Sequence, residues 1–210
     1  MQAFALCKSV RCLGRLFPVY IPMIRFLVGA ILATTLIFLF TALRSETIVP
    51  RVKPAKIEWL TVEQAFALNQ TQPRKILIDV YTDWCGWCKV MDRETYTDPR
   101  VVEYINQHYY PVKFNAEQRD DVILDGQTFK FVAQGSSGVH EFAASLLNNQ
   151  LSYPNTVFLD EKLQMIQPLP GYLKAKEFHE IITFFGGDFY KTIPFEKFKA
   201  ETYPQQFGSK

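Results

Sequence analysis

From residue 56 onward, short apolar runs alternate with longer stretches whose apolar residues recur at helical spacing. Lys56–Leu60 reads as a short first strand. Thr61 stands where a helix cap belongs, before a helix through Leu68 with Val62, Ala65, Phe66 and Leu68 on its apolar side. Ile76–Thr82 is a β-branched apolar run with one charge in it, Asp79, and predicts a buried strand. A helix to about Thr95 follows. Asp98-Pro99 is a cap and first-turn signal for a helix carrying Val101, Val102, Tyr104 and Ile105, and Tyr109–Asn115 is the next strand.

Further along, Gly126–Val132 reads as one added strand, Gly135–Gly138 as a loop and Val139–Leu147 as an amphipathic helix. Thr156–Asp160 and Met165–Pro168 form an antiparallel hairpin through Glu161-Lys162. Gly171 precedes a last helix, Lys174–Phe185, with Phe178, Ile181, Ile182 and Phe185 as its core stripe. Residues 188–210 form an aromatic tail expected to pack on the domain, with partner docking as the sharper alternative. Strands alternating with helices predict an α/β fold with a central mixed sheet flanked by helices.

The amino terminus differs in kind. Phe26–Leu43 is an uncharged run of 18 residues, spanning roughly 27 Å as a helix, near the thickness of a bilayer core. It follows a basic extension, residues 1–25, and precedes a semi-rigid spacer, residues 44–55, that contains Ile48–Pro54. The reading is a transmembrane anchor. A cleaved signal with translation starting at Met23 competes, but Phe40 and Leu43 are poorly placed for cleavage after Leu39. Lys8, Arg11, Arg15 and Arg25 on one side balance Arg44, Arg51, Lys53 and Lys56 on the other, so charge leaves orientation open.

Composition narrows the rest. With 210 residues, 48% of them hydrophobic, the chain supports one core more readily than two. Net charge is +2 with no Lys/Arg cluster, which argues against nucleic acid as a partner. A monomer is expected.

The chemistry lies at Thr82-Asp-Trp-Cys85-Gly86-Trp87-Cys88-Lys89, where a buried strand runs into a helix. A thiol at the first turn meets unpaired backbone N–H groups and the positive end of the helix dipole, and both favour thiolate. A second thiol one turn later lies within reach to close a disulfide or resolve a mixed one. Zinc needs four ligands, and His108, His140 and His179 stand alone, so no metal and no cofactor is expected. Haem attachment needs histidine where Lys89 stands. A static disulfide closing so short a loop would gain little entropy. The pair reads as a redox site. Asp79, in an otherwise apolar strand, should be desolvated and its pKa raised, which suits proton transfer near neutral pH.

The stretch Ile76–Lys89 resembles the thioredoxin superfamily, over roughly residues 56–187 with 116–150 as an insertion. Within it the chain is similar to the thioredoxin-related proteins of bacterial envelopes, such as the C-terminal domain of the thiol:disulfide interchange protein DsbD. The resemblance implies a thioredoxin fold, with Cys85 as attacking cysteine, Cys88 as resolving cysteine and Asp79 as the carboxylate that assists the resolving thiol. It also implies a cis peptide before Pro154, although the residues alone favour trans. Trp84, Gly86, Trp87, Tyr153 and Pro154 become the expected substrate-binding surface. The implied activity is a thiol–disulfide oxidoreductase that reduces protein disulfides, or relays electrons from a thiol donor, outside the cytoplasm. With Gly86 and Trp87 between the cysteines, no cation stabilises the Cys85 thiolate, and a reductant with a potential below roughly −200 mV is expected. The alternatives are a non-catalytic thioredoxin-like binding or chaperone module, and a disulfide isomerase.

Overall fold

The computed structural model describes residues 56–208. The Phe26–Leu43 run, the basic extension before it, the spacer and the Met23 alternative lie outside the described residues, as do the last two residues of the tail. Among the described residues no helix is long and apolar enough to cross a membrane.

Thr61 caps the first helix, α1 (Val62–Thr71), in a reciprocal capping box with Gln64. The predicted first strand reduces to a single parallel bridge between Leu60 and Val112. Strand β1 (Lys75–Tyr81) is buried along almost its whole length. Helix α2 (Gly86–Glu94) follows, then α3 (Pro99–His108), which Asp98 caps by accepting from the Arg100 and Val101 N–H groups. A cap of this kind contributes about 1 kcal/mol. Strand β2 (Tyr109–Asn115) runs parallel to β1 and places Lys113 beside Asp79.

The inserted segment departs from the sequence reading. The expected single strand over Gly126–Val132 is divided between two small hairpins. One pairs β3 (Val122–Leu124) with β4 (Gln127–Phe129), and the other pairs β5 (Phe131–Gln134) with β6 (Ser137–His140). The helix expected to begin at Val139 starts later, as α4 (Glu141–Leu146), because His140 turns into its cap and accepts from the Phe142 N–H. Close approach explains Gly138: a Cβ there would lie 2.3 Å from the Phe131 ring.

Strands β7 (Asn155–Leu159) and β8 (Met165–Pro170) complete a four-stranded mixed sheet in the order β2-β1-β7-β8. Helix α5 (Ala175–Gly186) buries Phe178, Ile181, Ile182 and Phe185, as its stripe predicted. One face of the sheet carries α2, α3, α5 and the tail, the other α1 and α4. The tail packs as short helical turns. It includes Phe195–Lys197, Phe198–Thr202 and Tyr203–Phe207, with Phe198 fully buried and Tyr203 nearly so.

Candidate active site

Cys85 is the N-cap of α2 rather than a residue of its first turn, and it is joined to Cys88 by a disulfide with a Cα–Cα separation of 5.3 Å. The Cys88 N–H donates to Cys85 Sγ at 3.1 Å. That N–H and the helix dipole both stabilise negative charge on Cys85 once the bond is reduced. Both cysteines are buried to within 5% of full burial, so their surroundings rather than exposure distinguish them. Lys89 is exposed, on the outer side of the helix.

Asp79 is only 1% exposed, with Lys113 beside it on β2 and Thr156 opposite it on β7. Burial raises its pKa, and the nearby Asp92 carboxylate adds to that, while the Lys113 ammonium opposes it. The Lys113 Nζ lies 2.8 Å from Asp79 Oδ2 and also pairs with Asp92, one helical turn beyond Cys88 on α2. The rings of Trp59, Tyr81 and Tyr96 surround the same ammonium at 5.1 to 5.3 Å. Asp79 Oδ1, Thr82 Oγ1 and Asn155 Oδ1 are buried without a hydrogen-bond partner. The strand that leads into the cysteine helix therefore holds a buried carboxyl shifted toward its protonated form, with the Lys113 ammonium on one oxygen.

Of the remaining predicted residues Trp84, Gly86 and Trp87 are exposed, Tyr153 is half-buried and Pro154 is buried. Trp84 and Trp87 are 67% and 61% exposed. The Trp84 N–H donates to both Glu117 carboxylate oxygens, at 3.0 and 3.1 Å, and its ring meets Tyr153 edge-on at 5.9 Å. Gly86 is exposed with open space around it. The Tyr153–Pro154 peptide is cis, as the resemblance implied and the residues alone did not.

Sequence reasoning missed Lys113, Asp92, Glu117 and Tyr172. Lys113 had a readable signal, being the only charged side chain within Tyr109–Asn115. The other three depend on contacts between distant segments and had none. His140, left out of the site, is fully buried and structural, its Nε2 lying 3.1 Å from the Asp120 carbonyl. Among the described residues no group of His, Cys, Asp and Glu is arranged to hold a metal ion.

A Cys-x-x-Cys at the start of a helix, after a buried strand of a mixed sheet and beside a cis-proline loop, defines a thioredoxin-like protein. A family model described as Thioredox_DsbH, protein of unknown function DUF255, matches residues 48–184, and the chain belongs to that family. The thiol:disulfide interchange protein DsbD of Haemophilus ducreyi is 32% identical over 145 residues, 68% of this chain and 22% of the relative. The chain thus spans about a fifth of that relative's length. Among solved structures, a DsbH oxidoreductase is 13% identical with a TM-score of 0.46, covering 63% of this chain and 86% of its own. The C-terminal domain of Neisseria meningitidis DsbD in the reduced form is 21% identical with a TM-score of 0.39, covering 57% and 90%. The fold assignment rests on the sheet order and the family match rather than on these superpositions.

Proposed function

We propose that the protein is a thiol–disulfide oxidoreductase that reduces protein disulfides through Cys85 and Cys88. The observation that carries this reading is the Cys85–Cys88 bond at the cap of α2, backed by the buried Asp79–Lys113 pair. In the dithiol state the Cys85 thiolate attacks one sulfur of a substrate disulfide. That S–S bond breaks, one substrate thiolate leaves and a mixed disulfide forms. Cys88 gives its proton to Asp79 and attacks the Cys85 sulfur, releasing the second substrate thiol. The protein ends oxidised, and a thiol donor restores it by the reverse exchange. Trp84, Gly86, Trp87, Tyr153 and Pro154 serve as the docking surface. A binding module without turnover would have no use for a buried carboxylate of raised pKa behind its cysteines.

The dipeptide Gly86-Trp87 supplies no cation to the Cys85 thiolate, which favours reduction or electron relay over strong oxidation. The likeness to DsbD and the Phe26–Leu43 run support a domain held outside the cytoplasm by an amino-terminal anchor. Equilibration against a glutathione buffer tests the direction, with a potential below roughly −200 mV expected. A value near that of the oxidant DsbA, about −120 mV, would reverse it.

A further inference from the structure

The aromatic tail walls a second cavity, one that the dithiol chemistry does not use. It measures about 350 Å³ and lies between α3, α5 and the turn Tyr203–Phe207. Small-molecule sites run from about 300 to 1,000 Å³. Much of the wall is made of rings. Tyr104 stacks on His108 with centroids 4.0 Å apart and planes at 8°. Phe207 stands edge-on to both Tyr104 and His179, at 6.1 and 5.9 Å.

The charges in that wall are already answered. Arg100 donates through Nε and Nη2 to Asp98, at 3.3 and 3.2 Å. The Gln107 amide donates to Glu103 at 3.5 Å. His179 is different. It is 5% exposed, and its Nδ1 shares a 2.8 Å hydrogen bond with the Tyr203 hydroxyl. Nε2 has no partner among the described residues, yet it is not one of the unpaired polar atoms sealed in the core. His179 lines the cavity, so the surface it keeps opens there. Burial lowers its pKa to about 4, with the Arg100 guanidinium acting the same way against Asp98 and Glu103, so the ring is neutral near pH 7. A buried polar atom without a partner is unfavourable, and a ligand that supplies the partner is recognised by it.

We propose that this cavity binds a small uncharged molecule carrying one flat ring and a polar group, such as an aromatic amide, with His179 Nε2 as its hydrogen-bonding atom. The ring packs among Tyr104, Phe189 and Phe207, and the polar group meets Nε2. An ion is disfavoured, because Arg100 and Glu103 are already paired and a neutral imidazole does not compensate a desolvated charge. The site calls on neither Cys85 nor Cys88, so it stands apart from the oxidoreductase reading.

The test titrates the full-length protein with benzamide, benzoate, benzylammonium and toluene, which share a ring and differ in charge and hydrogen bonding. Two-dimensional NMR reads both affinity and place, since the Tyr104, His179 and Phe207 signals should move together. Benzamide should bind at least about fivefold more tightly than each of the other three, the worth of one hydrogen bond to a buried group. His179→Phe keeps a ring but loses Nε2, so benzamide should fall to the affinity of toluene. Phe207→Ala should weaken benzamide and toluene alike. Benzoate or benzylammonium binding as tightly as benzamide would overturn the uncharged class. No shift up to the solubility limit of benzamide, shifts confined to other residues, or an unchanged preference in His179→Phe would overturn the site.

Discussion

Strand β1 carries a buried charge at each end, and the two are held in opposite ways. At its start, Lys75 is 3% exposed and its ammonium meets Glu161 at 2.5 Å and Asp188 at 2.9 Å. Near its other end, Asp79 is 1% exposed, shares Lys113 with Asp92, and keeps one oxygen without a partner. Both pKa values are raised, with contrary meanings. For Lys75, burial works against the charge, but its two carboxylate partners together outweigh it, so the fold favours the ammonium. For Asp79, burial outweighs the Lys113 ammonium, so the fold shifts its pKa above the ordinary carboxylate value. One site ties the sheet to its turn and tail, while the other holds a carboxyl shifted toward its protonated form on the strand that leads into the cysteine helix.

The largest expected effect of breaking this comparison is kinetic. Asp79→Asn should slow resolution of the mixed disulfide near pH 7 by on the order of 100-fold, since it removes the proton acceptor. Rapid-quench measurement of mixed-disulfide decay checks this, and equal rates from pH 6 to 9 would make Asp79 structural. The same variant should raise stability at neutral pH. A raised carboxyl pKa contributes stability that is present in acid and lost as pH rises through the folded pKa, so removing the charge recovers it. Denaturant midpoints at pH 5 and pH 8 read the difference, with the gain larger at pH 8.

A third buried group sharpens the contrast. His179 is 5% exposed, its Nδ1 lies 2.8 Å from the Tyr203 hydroxyl, and burial lowers its pKa to about 4. A depressed histidine pKa means the unfolded chain binds more protons between the folded value and the ordinary 6.5. Stability should therefore be full above pH 6.5 and fall on acidification toward pH 4, by at most about 3 kcal/mol. His179→Phe should flatten that window in a pH series of unfolding curves.

Lys75→Met should have the smallest effect, a loss of about 1–2 kcal/mol, because Glu161 and Asp188 are partly exposed and can be solvated without it. The Lys75 contribution is full below its unfolded pKa of 10.5 and is lost as pH rises through the folded value, so the loss shows at neutral pH. Opposite signs for Asp79→Asn and Lys75→Met at pH 7 would uphold the comparison, and equal signs would break it.

How much of this was legible beforehand varies with distance along the chain. Thr61, Asp98 and the stripe of α5 were readable because capping and helical periodicity are local. The hairpin of β7 and β8 was readable because its turn is short. Cys85, Cys88 and Asp79 stood out as polar chemistry at the end of an apolar strand. The two hairpins of the insertion were not legible: their strands are three or four residues long, too short for a period to show. Glu94, Asp92 and Glu117 look like ordinary surface acids until folding brings Tyr172, Lys113 and Trp84 to them.

The most direct test of the central claim is a single-turnover reaction of the reduced protein with a disulfide-bonded protein, followed by acid quench and mass analysis. Wild type should reduce the substrate and end with the Cys85–Cys88 bond. Cys88→Ser should stop at a mixed disulfide through Cys85, and Cys85→Ser should do nothing. A mixed disulfide through Cys88 would reverse the assigned roles, and the absence of any exchange by the wild type would contradict the account.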